Sequence, residues 1–464
     1  MTTFGSRRTA PPLHRSCTAF AVLALGAAAA VAARAEDSPL PRQVDANISA
    51  LEGKVVAWRR DMHQHPELGN REFRTSRLVA DHLRSLGMEV STGVAHTGVV
   101  ALLRGGRPGP VVLLRADMDA LPVTERARVP FASAARTEYN GQEVGVMHAC
   151  GHDAHVAVLM GVAEVLAGYR GELPGTIKFV FQPSEEGAPF GEEGGAGLMV
   201  KEGVLENPTV HAAFALHIWS RAEVGHIQYA SGGMWASSDD FRILVKGRQT
   251  HGAYPWNGAD PIVAAAHIVT ALQTIVSREV RLTDSPAVVS IGKIQGGVRY
   301  NIIPEQVEMV GTIRALAPEH RQQLHTSVRR IATDVARALG VTADISLPYT
   351  RGLPVTQNAP ELTKAMVPVL ESIVGAERVH EIKPETGGED FGFIAERVPG
   401  FYIRIGGRAR DTTETDAPAH HTPEFFIDDS GLHVGVRALT AMALQYMRTH
   451  PLSRLDTPRT KTSQ

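Results

Sequence analysis

The nine residues Met147-His148-Ala149-Cys150-Gly151-His152-Asp153-Ala154-His155 indicate more about this chain than any other stretch. They include three histidines, one cysteine and one aspartate, the usual ligand types for zinc and related divalent metals. Such groups rarely serve packing alone, because each needs a buried partner; a surface loop with chance histidines is the alternative. The spacing Cys150-x-His152 differs from the CxxC pairs of zinc fingers. The stretch therefore predicts a metal site completed by distant segments.

The cysteine content supports the use of Cys150 as a ligand. The sequence has two cysteines, and Cys17 lies in an N-terminal segment that has the features of a signal peptide. There, a basic start is followed by an apolar run over residues 19–33 and by the A-x-A cleavage site Ala33-Arg34-Ala35. The exported chain would hold one thiol in an oxidising compartment, where metal ligation gives it a use. Residues 1–35 thus predict a periplasmic or secreted protein, exported by the Sec or the twin-arginine route.

Length and charge narrow the class of protein. A mature chain of roughly 430 residues exceeds a single hydrophobic core and favours two domains. The formal net charge is −2, so nothing indicates binding to nucleic acid or to an anionic membrane. We expect a globular protein that acts on a small molecule and ends in a disordered polar tail over residues 451–464.

Strand and helix patterns alternate in the first half of the mature chain. Apolar runs predict buried strands at residues 99–103, 111–114, 177–181 and 212–216. Helical patterns occur at residues 44–60, 75–86 and 155–167. This alternation is typical of a mixed or parallel sheet covered by helices, with functional residues at the carboxyl ends of the strands. We assign residues 36–236 and 349–450 to this α/β domain.

The pattern changes over residues 237–348. Predicted strands and helices follow one another there in the order β-α-β-β-α-β, which fits a ferredoxin-like unit. After residue 349 the sequence again shows the pattern of the first domain. We therefore predict a small α+β domain inserted into the larger α/β domain.

Two pairs of carboxylates follow predicted strands. Asp117 and Asp119 could bind a metal or orient a ligand histidine, with a turn or capping role as the alternative. Glu185 and Glu186 lie in a turn bounded by proline and glycine; a solvated surface pair is the alternative there. Hydrolysis at a metal requires one carboxylate on the metal and a second, unligated carboxylate that accepts a proton from water. The glutamate pair matches this requirement.

Histidines complete the set of candidates. His217 follows another predicted strand, and His420-His421 lies in a late loop. A single histidine after a strand is by default a satisfied core residue. We interpret eight further histidines as structural or surface residues: His63, His65, His82, His96, His211, His226, His267 and His380.

Taken in order, these motifs resemble the di-metal aminoacylase and carboxypeptidase family. The most similar branch is that of the N-acyl-amino-acid amidohydrolases, which includes hippurate hydrolases and plant auxin-conjugate hydrolases. The resemblance covers nearly the whole mature chain and extends to Asp61-Met62-His63-Gln64-His65-Pro66-Glu67-Leu68 and Gly387-Gly388-Glu389-Asp390-Phe391. It implies a zinc-peptidase-like catalytic domain with an inserted lid that also pairs subunits, in a homodimer or a dimer-based homo-oligomer.

The resemblance implies a role for each matching residue of the catalytic domain. Cys150 would bridge two divalent metal ions, with Zn²⁺ the first expectation and Mn²⁺, Co²⁺ or Ni²⁺ as alternatives. The remaining metal ligands would be His152, Glu186, His217 and His421. Glu185 would act as general base and then as general acid, and Asp117 would be an orienting carboxylate.

The lid would contribute three residues by the same resemblance. His251 would stabilise the oxyanion, often from a partner subunit, and Asn301 and Arg314 would bind the substrate. The segment around His251 departs from the family pattern, with Gln249 and Thr250 where glycines are usual and Trp256 where a second histidine is common. These departures leave the substrate preference open and favour a bulky apolar wall near the pocket.

The sequence therefore predicts a metal-dependent amidohydrolase that cleaves the amide bond of N-acyl amino acids or small peptides. Two alternatives stay open. A metallo-carboxypeptidase or dipeptidase would use the same site. A non-enzymatic periplasmic metal- or peptide-binding protein would not need Glu185 beside a ligating Glu186.

Overall fold

The chain forms a large sheet with helices on both faces and a small sheet with its own two helices. A computed structural model describes residues 40–281 and 283–451. The predicted signal peptide and the predicted tail beyond residue 451 lie outside these residues. The large sheet has eight strands and the small one four. The predicted fold class, a mixed α/β sheet with an added α+β unit, is confirmed.

The elements before residue 236 supply most of the large sheet. The helices are α1 (Arg42–Gln64), α2 (Phe73–Ser85), α3 (His152–Gly168) and α4 (Gly195–Lys201). The strands are β1 (Glu89–Val94), β2 (Gly98–Arg104), β3 (Arg107–Asp117), β4 (Arg136–Tyr139), β5 (Gln142–Gly145), β6 (Pro174–Gln182), β7 (Ala212–Glu223), β8 (Ile227–Tyr229) and β9 (Gly232–Trp235).

The next elements form the small sheet, and the chain then returns to the large one. The small unit contains β10 (Ser237–Lys246), β11 (Thr250–His251), α5 (Pro261–Thr274), β12 (Ala287–Gly296), β13 (Ile302–Ile303), β14 (Gln306–Ala315), α6 (Pro318–Ala338) and β15 (Thr342–Ser346). The last elements are β16 (Thr356–Asn358), α7 (Pro360–Val374), β17 (Val379–Glu381), α8 (Gly392–Ala395), β18 (Gly400–Arg408) and α9 (Leu432–Thr449). We call residues 237–348 the lid; the domain boundaries themselves stay a prediction.

The large sheet has the strand order β1-β2-β6-β3-β7-β18-β8-β17. Its centre is parallel, because β3 pairs in parallel with β6 and β7, and β7 pairs in parallel with β18. Antiparallel β2 and β1 extend one edge. The carboxyl ends of β6, β3 and β7 therefore meet at one edge of the sheet, where α/β proteins form their sites.

The apolar run in β3 explains why this sheet is covered on both faces. Val112 and Leu114 pack into a core that also contains residues of α1, α3 and α9. The alternate residues Val111 and Leu113 pack into a second core with residues of α4. Side chains of a strand alternate between the two faces, so a strand buried on both faces is apolar throughout.

Helix α3 begins earlier than the apolar pattern predicts. The sequence indicates a helix from residue 155, whereas the structure starts it at His152. Gly151 has φ 93° and turns the chain into the helix from the left-handed region, a conformation that glycine adopts without steric cost. The early start places His152 in the first helical turn, directly after Cys150.

The lid sheet has the antiparallel order β12-β14-β10-β15, the arrangement of a ferredoxin-like unit. One apolar core joins this sheet to α5 and α6. Helix α5 is capped at its start by Asp260, whose side chain accepts hydrogen bonds from the backbone N–H groups of Ile262 and Val263.

The lid also has an exposed apolar surface. Among the described helices, the segment Pro261–Glu279 is long and apolar enough to cross a membrane, with a mean hydropathy of 1.2 and 33% of its window buried. By length and composition alone this is weak evidence for a membrane span, because apolar helices of other proteins pass the same test. The edge strand β12 is mostly exposed from Ser290 onward.

Candidate metal centre

The predicted ligands of the catalytic domain come together at the carboxyl edge of the large sheet. Cys150 and His152 lie at the start of α3, Glu186 follows β6, and His217 is within β7. Cys150 Sγ lies 3.4 Å from His217 Nε2. Cys150, His152 and Glu186 place potential ligand atoms within 4.8 Å of one another. Three segments distant in sequence thus form one cluster of donors.

His152 is oriented so that one ring nitrogen is free for a metal. Its Nδ1 lies 2.8 Å from the backbone oxygen of Asp119 and 3.2 Å from Asp119 Oδ1. Its Nε2 is buried and has no hydrogen-bond partner among the described residues. A ligand histidine usually donates its second N–H to a carboxylate or carbonyl in this way. The geometry fits a metal ligand.

The thiol of Cys150 needs a cation in order to ionise. Burial and the nearby carboxylates of Glu186 and Glu185 raise the pKa of Cys150 well above its usual range. A divalent cation reverses this effect, because a coordinating thiol is deprotonated. Glu186 Oε1 is also close to a second predicted ligand, because His421 Nε2 lies 2.8 Å from it. The residues present therefore fit a bound divalent metal.

Asp119 contacts two of the segments that supply the donor cluster. Besides its contacts with His152, its Oδ2 accepts a hydrogen bond of 2.9 Å from the backbone N–H of Glu186. The carboxylate therefore fixes a histidine of α3 and the turn after β6 together. The sequence marked Asp119 as one of two candidate carboxylates but gave the orienting role to Asp117.

Asp117 contacts His155 more closely than His152. Its Oδ1 lies 2.5 Å from His155 Nδ1, and its Oδ2 is 2.7 Å from Arg115 Nη1 but 3.9 Å from His152 Nε2. His155 Nε2 in turn accepts a hydrogen bond from the backbone N–H of Ile218. Asp117 thus orients His155, a histidine of the nine-residue motif to which the sequence gave no separate role, whereas Asp119 contacts His152.

The two late histidines lie on different sides of the cluster. His421 Nε2 is 2.8 Å from Glu186 Oε1. His420 Nδ1 is 3.8 Å from Cys150 Sγ, and its Nε2 accepts a hydrogen bond from the backbone N–H of Ser220. His421 has φ 62°, so the chain turns sharply between them. The structure brings His420 to the site as well as the predicted His421.

Glu185 stands beside the donor cluster among other carboxylates. It forms a group with Glu389 and Asp390 whose oxygens lie within 4.8 Å of one another. Burial and then the charges of Glu389, Glu186 and Asp390 raise the pKa of Glu185 well above its usual range. A raised pKa makes a carboxyl group a better proton carrier, as a general acid–base group must be.

A buried arginine anchors these carboxylates. Arg115 forms ion pairs with Asp117, Glu389 and Asp390 at 2.7, 2.9 and 2.9 Å. Tyr402 donates a hydrogen bond of 2.7 Å to Glu389. The sequence included Glu389 and Asp390 in a family motif without a role. The signal that could have identified them is a pair of acidic residues beside two glycines, late in the chain.

Of the three predicted lid residues, Arg314 reaches the site, whereas His251 and Asn301 do not. Arg314 reaches the site, because its Nη1 lies 3.7 Å from the position that a Cβ would occupy at Gly388. Gly388 lines the metal cleft, a cavity of about 340 Å³ that also includes Cys150 and Glu185 in its wall.

His251 is exposed and its Nδ1 accepts a hydrogen bond from the backbone N–H of Ala253. Asn301 lies beside it, since its carbonyl accepts a hydrogen bond from Gly252. Neither His251 nor Asn301 lines the cleft.

Comparison with known proteins agrees with this site. The model of peptidase family M20/M25/M40 matches residues 113–445. Thermostable carboxypeptidase 2 of Saccharolobus solfataricus is 37% identical over 86% of this chain and 97% of its own length. N-acetylcysteine deacetylase of Bacillus subtilis is also 37% identical, over 86% of this chain and 98% of its own.

A solved structure from the same family is also similar to this chain. The YXEP protein of Bacillus subtilis, a dinuclear metal binding peptidase from the M20 family, superposes with a TM-score of 0.71. It is 34% identical to this chain, and the match covers 86% of this chain and 99% of that protein.

Proposed function

The chain belongs to peptidase family M20/M25/M40 and is a metal-dependent hydrolase of amide bonds, and from this premise we propose that it deacylates N-acyl amino acids. One observation carries the proposal. Glu185 stands next to the three converging donors Cys150, His152 and Glu186 without being one of them, and the ring of His152 offers an unpartnered nitrogen. This is the division between ligand and proton carrier that metal-assisted hydrolysis requires.

We infer that the cluster holds two divalent metal ions. The ligands would be Cys150 between the ions and His152, Glu186, His217 and His421 around them. When bound, the ions would polarise the substrate carbonyl and acidify water. Zn²⁺ is the expected metal because thiolate and imidazole are its common ligands; Mn²⁺, Co²⁺ and Ni²⁺ are the alternatives.

The protein's own side chains would carry the proton and position the substrate. Glu185 would take a proton from the attacking water and return it to the leaving amine. His251 would stabilise the oxyanion, and Arg314 and Asn301 would bind the carboxylate of the amino acid. The position of Arg314 beside Gly388 supports its part. The exposed position of His251 requires closure of the lid or delivery from a second subunit.

The second candidate function is hydrolysis of peptides, as a carboxypeptidase or dipeptidase. It is favoured by the relative named thermostable carboxypeptidase 2, which is as similar to this chain as the deacetylase is. A panel of N-benzoyl amino acids, N-acetyl amino acids and dipeptides, assayed by amine release on metal-reconstituted protein, separates the two. Higher kcat/KM on the acylated amino acids is the expected result, and turnover of dipeptides alone would contradict it.

We further propose that the lid pairs two copies of the chain. The edge strand β12 has one unpaired side in the described chain, and α5 exposes Ile262 and Val263 to 46% and 48%. A free edge and an apolar helix face suit a symmetric contact. Sedimentation velocity should give a dimer, and a monomer at micromolar concentration would reject this pairing.

Export remains a proposal that rests on the sequence of residues 1–35. The basic start, apolar run and A-x-A site predict a mature N-terminus at Glu36. N-terminal sequencing of the protein from its native host tests this. An intact Met1 would reject it.

A further inference from the structure

A second cavity lies beside the metal cleft and has no role in the function described above. The end of β7, the turn before β8, the segment after β17 and the end of β18 contribute to its wall. Its volume is about 400 Å³, in the range of small-molecule sites. We call it the Arg404 cavity. Trp219 and Glu385 line both this cavity and the metal cleft, so they form the boundary between the two.

Arg404 is a buried cation in the wall of this cavity. It lies on β18 and is 2% exposed. Its Cζ is 3.6 Å from the ring centre of Trp219 and 4.2 Å from that of Trp235. Its Nη1 donates a hydrogen bond of 2.8 Å to Glu385. Two cation–π contacts and one carboxylate therefore stabilise the charge.

Two donor atoms of the same guanidinium have no acceptor. Nε and Nη2 of Arg404 are buried and make no hydrogen bond to any described residue. A buried donor without a partner costs free energy, and the cost is larger for a charged group. Buried polar atoms of proteins are for this reason almost always paired with protein, water or a ligand. Because Arg404 lines a cavity, an acceptor bound in that cavity supplies the missing partner.

The remaining charges of the wall indicate the sign of the ligand. Arg408 is paired with Glu223, with 3.3 Å between the nitrogen and the oxygen. Lys383 and Arg221 are exposed and form no ion pair within residues 40–281 and 283–451. Glu414 is an exposed carboxylate that is also unpaired within these ranges. The unpaired side chains are thus two cations against one carboxylate, and this excess of positive charge attracts an anion.

We propose that the Arg404 cavity binds the carboxylate or phosphate group of a small molecule, with Arg404 at its floor and Lys383 and Arg221 at its rim. An oxyanion accepts charge-assisted hydrogen bonds from several guanidinium and ammonium groups at once. This ligand is distinct from the amide substrate, because Trp219 and Glu385 separate the cavity from the metal cleft. The proposal does not depend on which amide the metal centre cleaves.

Tryptophan fluorescence tests the proposal, because Trp219 and Trp235 contact Arg404. Metal-loaded protein is titrated separately with inorganic phosphate and with succinate, at constant ionic strength because salt screens charges. A saturable change with phosphate identifies a phosphate site, and a saturable change with succinate identifies a carboxylate site. A response to neither anion beyond the response to sodium chloride would overturn the proposal.

Variants of the wall show where the anion binds. Lys383→Glu reverses an exposed charge and should raise the Kd by about tenfold or more. Arg404→Leu should raise it at least as much; leucine keeps an apolar contact with Trp219, and Glu385 stays hydrated because its side chain is 43% exposed. Lys364→Glu is the matched control, since Lys364 is an exposed residue of α7 outside the cavity. Its Kd should stay within about twofold of the wild-type value.

Glu414→Gln should strengthen binding, an effect that a folding defect does not produce. It removes the unpaired carboxylate from the wall and should lower the Kd several-fold. These variants also separate the cavity from the metal ions, which bind anions themselves. A Kd that changes in neither Lys383→Glu nor Glu414→Gln would place the anion at the metal ions and would overturn the proposal.

Discussion

The donor cluster around Cys150 and the lid residue His251 belong to one proposed reaction, yet the fold holds them differently. His152 and His217 lie on a helix and a strand of the catalytic domain, whereas Cys150 and Glu186 lie in the loops next to them. The buried residue Asp119 fixes the ring of His152 and the turn at Glu186. His251 lies on the two-residue strand β11, is exposed, and its ring accepts one local hydrogen bond.

This difference indicates which part of the site has its final geometry before the substrate binds. Positions fixed by buried hydrogen bonds keep their geometry without substrate. An exposed side chain on a short strand acquires its position only when another surface meets it. We therefore expect the metal cluster to form in each subunit alone, and the oxyanion contact to require lid closure or a second subunit.

The largest effect should come from Glu185→Gln. If Glu185 carries the proton and is not a ligand, turnover should fall by about 10² to 10⁴ while the metal content, measured by mass spectrometry of the eluted ions, stays at the wild-type level. The neighbouring Glu186→Gln is the matched control and should lose metal together with activity. Metal loss in Glu185→Gln would show that the two glutamates have been assigned the wrong way round.

His251→Ala should have the next largest effect. Removal of one oxyanion donor costs about 10² to 10³ in kcat, and the metal content should not change, because the lid contributes no ligand. Turnover within a few-fold of wild type would remove His251 from the reaction.

Mixed dimers show how His251 reaches the site. If it acts on the partner's site, dimers of Glu185→Gln with His251→Ala regain one working site in two, since one site then has both residues intact. If it acts within its own chain, every site keeps one lesion. Mass spectrometry confirms subunit exchange, and exchange without recovered activity would reject delivery from the partner.

Asp119→Asn should weaken metal binding by about 10- to 100-fold, as loss of a partner of a metal ligand commonly does. The asparagine side chain has one acceptor oxygen, whereas Asp119 uses two, toward His152 and the backbone of Glu186. Competition with a chelator gives the affinity. Asp239→Asn, which changes a buried carboxylate of the lid, should leave the metal affinity unaltered. An equal loss of metal affinity in both variants would indicate a general effect on folding.

The smallest effect concerns the lid alone. Asp260→Ala removes the cap of α5 and should lower the free energy of unfolding by about 1 kcal/mol. Urea denaturation gives the change in stability, and the metal content should match that of the wild type. A coupled loss of metal would contradict the independence of the two regions.

The sequence was sufficient for the fold class and the family because both depend on patterns along the chain. The apolar runs of the large sheet and the β-α-β-β-α-β order of the lid are visible without a structure. The fold class and the membership of the M20/M25/M40 family are confirmed. The signal peptide and the domain boundaries stay predictions.

The partners of the site residues could not be predicted, because they depend on the register between distant segments. Asp117 and Asp119 are two residues apart, and the position of α3 decides that His155 meets the first and His152 the second. His420 and His421 are adjacent, and a left-handed residue sends them to different sides of the cluster. Neither distinction has a signal in spacing or composition.

The central claim is that the chain itself forms a two-metal site around Cys150. Anomalous diffraction from crystals of zinc-loaded protein, recorded on both sides of the zinc absorption edge, tests it directly. We predict two peaks about 3.5–4 Å apart, one on each side of Cys150 Sγ and within coordination distance of His152, Glu186, His217 and His421. Peaks absent from this cluster, or a single peak not in contact with Cys150, would contradict the claim.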